Sequence, residues 1–113
     1  METLDAGGAA RLTIELEVDA HATVLVLAGE LDLETATELD RQLARIEESP
    51  ATRVVIDLRG VTFMDSTGLS SIVRAHRAAE SDGHTLQLRP GARQVQRLFE
   101  LTGMNERLTF VEE

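Results

Sequence analysis

The sequence contains no cysteine, tryptophan or tyrosine, and its aromatic residues are 3 phenylalanines in 113 positions. Without thiols there is no disulfide framework, thiolate metal site or cysteine nucleophile. With so few aromatic rings, aliphatic side chains must build the core. Positive charge is also short: 11 basic residues face 20 acidic ones, a formal charge of -9. A field of that sign repels nucleic acid and anionic lipid surfaces. No apolar run approaches the roughly 20 residues that cross a bilayer. The start Met1-Glu2-Thr3-Leu4-Asp5 lacks the basic and apolar blocks of a signal peptide, so the chain is expected to stay where it is made.

What is present suits one soluble domain. Hydrophobic residues make up 42% and charged residues 27%, an ordinary balance for a globular chain of this length. Residues 1–10, ending Gly7-Gly8-Ala9-Ala10, show no periodicity and are expected to form a flexible tail, with the domain over residues 11–113. Leu12, Ile14, Leu16 and Val18 alternate with Thr13, Glu15 and Glu17, the period of a strand wet on one face and expected at the sheet edge. Thr23 to Gly29 is nearly continuous apolar sequence, as in a strand covered on both faces and joined to the first by a hairpin. After Gly29-Glu30-Leu31-Asp32 the period lengthens. Ala36, Leu39, Leu43 and Ile46 share one helical face, with Asp32 as N-cap, Glu34 favouring the start and Ser49-Pro50 as the stop.

Arg53 to Leu58 reads as a further buried strand, with Gly60 marking a turn before Val61-Thr62-Phe63. A helix follows Asp65-Ser66-Thr67-Gly68, turning Leu69, Ile72, Val73 and Ala79 inward and ending at Asp82-Gly83. His84 to Arg89 gives another strand. Pro90 is expected to open a helix with the stripe Val95, Leu98 and Phe99 and the left-handed terminator Gly103, before a last short strand over Leu108 to Val111. Strands alternating with helices imply right-handed crossovers and an α/β fold. The expected sheet is mixed and mostly parallel, of four to five strands, with helices packed on it and an antiparallel amino-terminal hairpin.

The run from Val54 to Leu69 is where chemistry can lie. A buried strand delivers Asp65, Ser66 and Thr67 to a helix start, the place where α/β sheets put their sites. The free N–H groups of a first turn favour an anion, Asp65 or Ser66 can cap them, and Gly68 lets another backbone approach. Taken alone, Asp-Ser-Thr-Gly is most often a capping pair. Three blocks in order are more specific: Gly29-Glu30-Leu31-Asp32, Met64-Asp65-Ser66-Thr67-Gly68-Leu69, and the segment Val95 to Gly103. Over about residues 12–111 they resemble the STAS domain family, and within it the anti-sigma factor antagonists of bacterial partner switching. Ser70 departs from the second Gly that is common at its place and adds crowding beside the site.

The resemblance implies a cytoplasmic, non-enzymatic phosphoprotein of signal transduction and transcription regulation. Unmodified, such a protein binds a kinase-type anti-sigma factor and frees a sigma factor. The anti-sigma factor serine kinase then phosphorylates Ser66 and dissociates, and a PP2C-type phosphatase resets the switch. Ser66 is the implied acceptor and Thr67 the lesser candidate. Asp32, Asp65, Thr67 and Gly68 form the implied switch region and partner-binding set, with Asp32 serving equally as an ordinary cap. Arg74 and Arg77 join it on the residues themselves. With Ser70 and Ser81 they form a polar stripe away from Leu69, Ile72 and Val73; such a stripe is more often simply a solvated face, but a basic pair on so acidic a chain suits partner contact. No cofactor, direct nucleic-acid binding or membrane insertion is expected, and the oligomeric state is open between monomer and weak dimer. The alternative on the same fold is a binding subunit of a stress-signalling complex or membrane transporter without phosphorylation control.

An enzyme reading would make Ser66 a nucleophile with Asp65 or His76 as base. Asp65 is adjacent in sequence, His76 lies nearly three turns along the helix, and no oxyanion-hole motif accompanies them. No Gly-x-x-x-x-Gly-Lys or Gly-x-Gly-x-x-Gly loop supports nucleotide binding. His21, His76 and His84 are scattered, without spacing suited to a metal.

Overall fold

The computed structural model describes the backbone of residues 2–6, together with residues 11–18, 21–48 and 53–112. The order of elements is β1 (Glu2–Ala6), β2 (Leu12–Val18), β3 (Thr23–Leu31), α1 (Ala36–Glu47), β4 (Arg53–Met64), α2 (Ser66–Asp82), β5 (Thr85–Arg89) and α3 (Arg93–Thr102), then a 3-10 turn at Met104–Glu106. Among the described residues the strands form one sheet in the order β1-β2-β3-β4-β5. The β1–β2 and β2–β3 pairings are antiparallel, and β3–β4 and β4–β5 are parallel. The sheet is therefore mixed, with its parallel half where helices intervene between strands.

Alternation decides which face is covered. Leu12 and Ile14 of β2, Leu25 and Leu27 of β3, Ile56 and Leu58 of β4 and Leu88 of β5 are fully buried, and they join Leu39 of α1, Ile72 of α2 and Phe99 of α3 in one core. The opposite face carries the row Glu15, Val26, Asp57 and Arg89, paired strand to strand. Val24 and Val26 are only half-buried there, so β3 is covered on one face rather than two.

Several local expectations are corrected. Glu2–Ala6 pairs with β2 instead of forming part of a tail, which makes β2 an interior strand; residues 7–10 lie outside the described residues. Such a pairing draws on backbone N–H and C=O groups, which need no hydrophobic pattern. Helix α1 begins at Ala36 with Thr35 at its N-cap position, so Asp32 and Glu34 precede the helix; Ser49 and Pro50 lie outside the described residues. Gly60 makes no turn but stays within β4, where its missing side chain admits the Leu27 carbonyl. Pro90 stands two residues before Ala92, the N-cap of α3, and the Gly91 N–H donates to Gln96 Oε1 at 2.8 Å. Leu108 to Val111 forms a single parallel bridge, Leu88 to Phe110, rather than a strand. Phe110 anchors that segment by meeting Phe99 edge to face, with ring centroids 5.2 Å apart. The inward faces of α1 and α2 and the left-handed glycines ending α2 and α3, Gly83 and Gly103, are as expected.

Candidate functional site at the start of helix α2

Strands β3 and β4 run in parallel to a common end, with Leu31 beside Met64 and the Asp65 N–H donating to the Leu31 carbonyl at 3.2 Å. That bond turns the chain straight from strand into α2. Asp65 is the cap: its Oδ1 accepts from the N–H groups of Thr67 at 2.9 Å and Gly68 at 3.1 Å. With Asp65 capping, Ser66 becomes the first helical residue, and it is exposed. Among the described residues its hydroxyl has no hydrogen-bond partner. Thr67 is half-buried and Gly68 buried. A Cβ on Gly68 would stand 2.7 Å from the Leu31 carbonyl oxygen and 2.8 Å from Leu31 Cγ, so only glycine lets α2 lie this close to β3.

The β3–α1 turn flanks this helix start. Asp32 Oδ1 accepts from the N–H groups of Glu34 at 3.1 Å and Thr35 at 3.2 Å, an Asx turn in place of the expected cap. The Thr35 hydroxyl accepts from the Asp32 N–H at 2.9 Å and donates to the Glu30 carbonyl at 2.7 Å. Arg11 binds this turn from β2's side, pairing with Glu30 at 3.2 Å, Glu34 at 2.6 Å, and Asp32. Gly29 makes the approach possible. Its φ is 111°, and a Cβ there would lie 2.1 Å from the Arg11 carbonyl oxygen. Partial burial pushes the Asp32 carboxyl up, but the Thr35 N–H, the Arg11 guanidinium and the Glu34 N–H outweigh it and hold the carboxyl below its ordinary value.

Two apolar side chains stand open at this corner: Leu33, 71% exposed, in the turn after β3, and Phe63, 48% exposed, beside Glu30. Neither stands out in the sequence, because an apolar residue at a strand end or in a turn looks the same there whether the fold covers it or leaves it open. Arg74 and Arg77 are placed elsewhere. Arg74 reaches across to Asp40 of α1 at 3.2 Å and to Ser71 Oγ at 3.2 Å, tying two helices together. Arg77 is exposed further along α2.

A second cluster also escaped the sequence reading. Asp57, with its side chain 2% exposed on the open sheet face, binds Arg59 at 2.7 Å and Arg89 at 3.1 Å. The signal was there in Asp57-Leu58-Arg59, since residues two apart on a strand share a face. Burial alone would raise the Asp57 pKa; the hydrogen bonds from the Arg59 side chain, the Arg59 N–H and Arg89 prevail and hold it below the ordinary value. Among the described residues no group of His, Asp and Glu is arranged to hold a metal ion, and no helix is long and apolar enough to cross a membrane.

This geometry, a strand-to-helix turn with Asp-Ser-Thr-Gly at its apex beside a Gly-Glu-Leu-Asp turn, can now be set against known proteins. The family model described as MlaB, STAS domain, matches residues 14–112. The chain belongs to the STAS domain family. It is 30% identical over 95 residues to the anti-sigma-B factor antagonist of Staphylococcus aureus, covering 84% of this chain and 88% of that one. Its fold matches the crystal structure of an anti-sigma factor antagonist from Mycobacterium paratuberculosis with a TM-score of 0.79 at 22% identity, over 97% of this chain and 92% of the other. It also matches the anti-sigma factor antagonist SpoIIAA in its unphosphorylated form, with a TM-score of 0.75 at 22% identity over 88% and 89% of the two chains.

Proposed function

We propose that this STAS protein is an anti-sigma factor antagonist that binds a kinase-type anti-sigma factor when Ser66 is unmodified and releases it when Ser66 is phosphorylated. The observation that carries the reading is the exposed Ser66 hydroxyl, unbonded and one residue beyond the capping Asp65. Its relatives' role as anti-sigma factor antagonists supports it. The partner supplies ATP and the transfer chemistry, and this chain supplies the acceptor oxygen. A PP2C-type phosphatase restores the hydroxyl.

Phosphate adds about -1.5 to -2 charges, which the positive end of a helix tolerates, so the fold survives modification. The N–H groups of Thr67 and Gly68 are already engaged by Asp65, and the Arg11 guanidinium is shared by three carboxylates. The new charge is therefore left for the partner to meet. An anionic group of the partner about 6 Å away feels roughly 3 kcal/mol of repulsion per unit charge at an effective dielectric near 20, which is about a hundredfold in affinity before screening. Asp32, Asp65, Thr67 and Gly68 shape the contact, and Leu33 and Phe63 add apolar surface beside it.

Incubation with the cognate kinase and ATP, followed by mass spectrometry, tests the acceptor. One phosphate on Ser66 is expected, with Ser66→Ala retaining partner binding and Ser66→Asp binding at least about tenfold more weakly. Phosphate found only at other residues, or equal binding by both variants, would sink the mechanism.

A further inference from the structure

Arg74 and Arg77, adjacent on the exposed stripe of α2, have different fates. Arg74 is held by Asp40, whereas Arg77 borders a cavity of about 310 Å³ between α2 and the 3-10 turn, with Arg107 also on its rim. The guanidinium of neither Arg77 nor Arg107 has a hydrogen bond or ion pair among the described residues. Two uncommitted guanidiniums beside one cavity stand out in a chain of formal charge -9. The floor is apolar: Val73 and Met104 are half-buried and Leu108 is buried. Glu80 is on the same rim but lies 3.5 Å from His76 Nδ1, which leaves two cations against a single carboxylate.

We infer that this groove binds an acidic segment of a partner polypeptide, seating one aliphatic side chain on Val73, Met104 and Leu108 and pairing flanking carboxylates with Arg77 and Arg107. Guanidinium groups match carboxylates in bidentate geometry and are weakly hydrated, so they suit a contact that must also exclude water from an apolar floor. The volume stands at the low end of the roughly 300–1,000 Å³ typical of ligand sites, which fits a side chain with its neighbours better than a large cofactor. Charge complementarity selects the occupant: an acidic segment finds its counter-ions here and is repelled by most of the remaining surface. Arg77 lies eleven residues beyond Ser66, about 16 Å along the helix axis, so this contact is separate from the phosphorylation corner and does not depend on it.

The test is a titration of the full chain, followed by amide chemical shifts, with the peptide Glu-Glu-Leu-Glu-Glu. Parallel titrations use Glu-Glu-Ser-Glu-Glu and Lys-Lys-Leu-Lys-Lys. Saturating shifts confined to Val73, Arg77 and residues 104–108 are expected from the first peptide alone. The double variant Arg77→Glu/Arg107→Glu should weaken binding by about tenfold or more, Arg77→Lys/Arg107→Lys, which keeps the charge but loses the bidentate fork, should weaken it by less, and Ser66→Asp should leave it unchanged. Absence of shifts at millimolar peptide, equal binding of the serine peptide, or undiminished binding by the Glu/Glu variant would overturn the inference. Self-association through the groove, seen by sedimentation as a dimer that the Glu/Glu variant abolishes, would also overturn it by naming a second copy as the occupant.

Discussion

Arg11 is one cation among three carboxylates, Glu30, Asp32 and Glu34, whereas Asp57 is one carboxylate between two cations, Arg59 and Arg89. The first cluster lies open at the β3–α1 turn, where the Glu34 side chain is 78% exposed; the second closes over a carboxylate with almost no exposure. In the open cluster water reaches Glu30 and Glu34, Asp32 is the more covered partner, and one guanidinium is divided among three carboxylates, so less folding energy rides on it and its excess negative charge is displayed beside Ser66. In the closed cluster the carboxylate has already lost its water, and removing its charge leaves two guanidiniums facing a group that no longer answers them. The same chemistry therefore serves stability on the open sheet face and presentation at the corner of the fold.

The contrast is broken or sharpened most strongly at Asp57. Asp57→Asn should lower unfolding free energy by about 3 kcal/mol, read from the urea midpoint, the exposed Arg59 keeping the loss at the low end for a buried pair. If that variant is no less stable than Arg11→Ala, the distinction between the clusters fails. The next effect is at Gly68, which bears on the site's scaffold rather than its charge. Gly68→Ala should cost about 2 kcal/mol in the same assay, since the added carbon collides with the Leu31 carbonyl, and should also displace Ser66 and weaken partner binding.

Acid gives a third measurement. The Asp57 pKa is depressed in the folded state, so its stabilisation is fully present above the unfolded carboxyl value of about 3.9 and is lost as pH falls through the lower folded value. The gap in stability between the parent and Asp57→Asn should accordingly hold from neutral pH down to about pH 4 and shrink below it. A gap that closes already near pH 6 would point to another group. The smallest change in stability is expected for Arg11→Ala: a slight drop in the urea midpoint that disappears by about 0.5 M salt. The same variant should nevertheless weaken partner binding, because it frees the turn that carries Asp32. Unchanged partner binding would separate that turn from the Ser66 contact.

Periodicity carried most of the architecture. The face Ala36, Leu39, Leu43 and Ile46, the face Leu69, Ile72 and Ala79, and the alternation Leu12, Ile14 are all visible in sequence, because solvent sorts side chains by period before any partner element is known. β1 was not legible, since its pairing uses the backbone of β2 and leaves no hydrophobic mark. Gly60 misled for a related reason: glycine marks turns and close approaches alike, and only the neighbouring Leu27 carbonyl tells them apart. Within the site, Asp65-Ser66-Thr67-Gly68 stood out as a helix start, but which of Asp65 and Ser66 caps it was a matter of geometry.

The sequence by itself determined the helix faces, the α/β order, the acidic charge and the motifs that place the chain among STAS proteins, because each depends on local spacing and composition. Tertiary structure decided which charges are satisfied and which are displayed. Arg11, Arg59, Arg74 and Arg77 are alike in sequence, yet the first binds three acids, the second covers Asp57, the third ties α2 to α1, and the fourth is left without a partner among the described residues. A long flexible side chain takes its partner from whatever the fold brings within a few ångströms, and that distance is set by residues far apart in the chain.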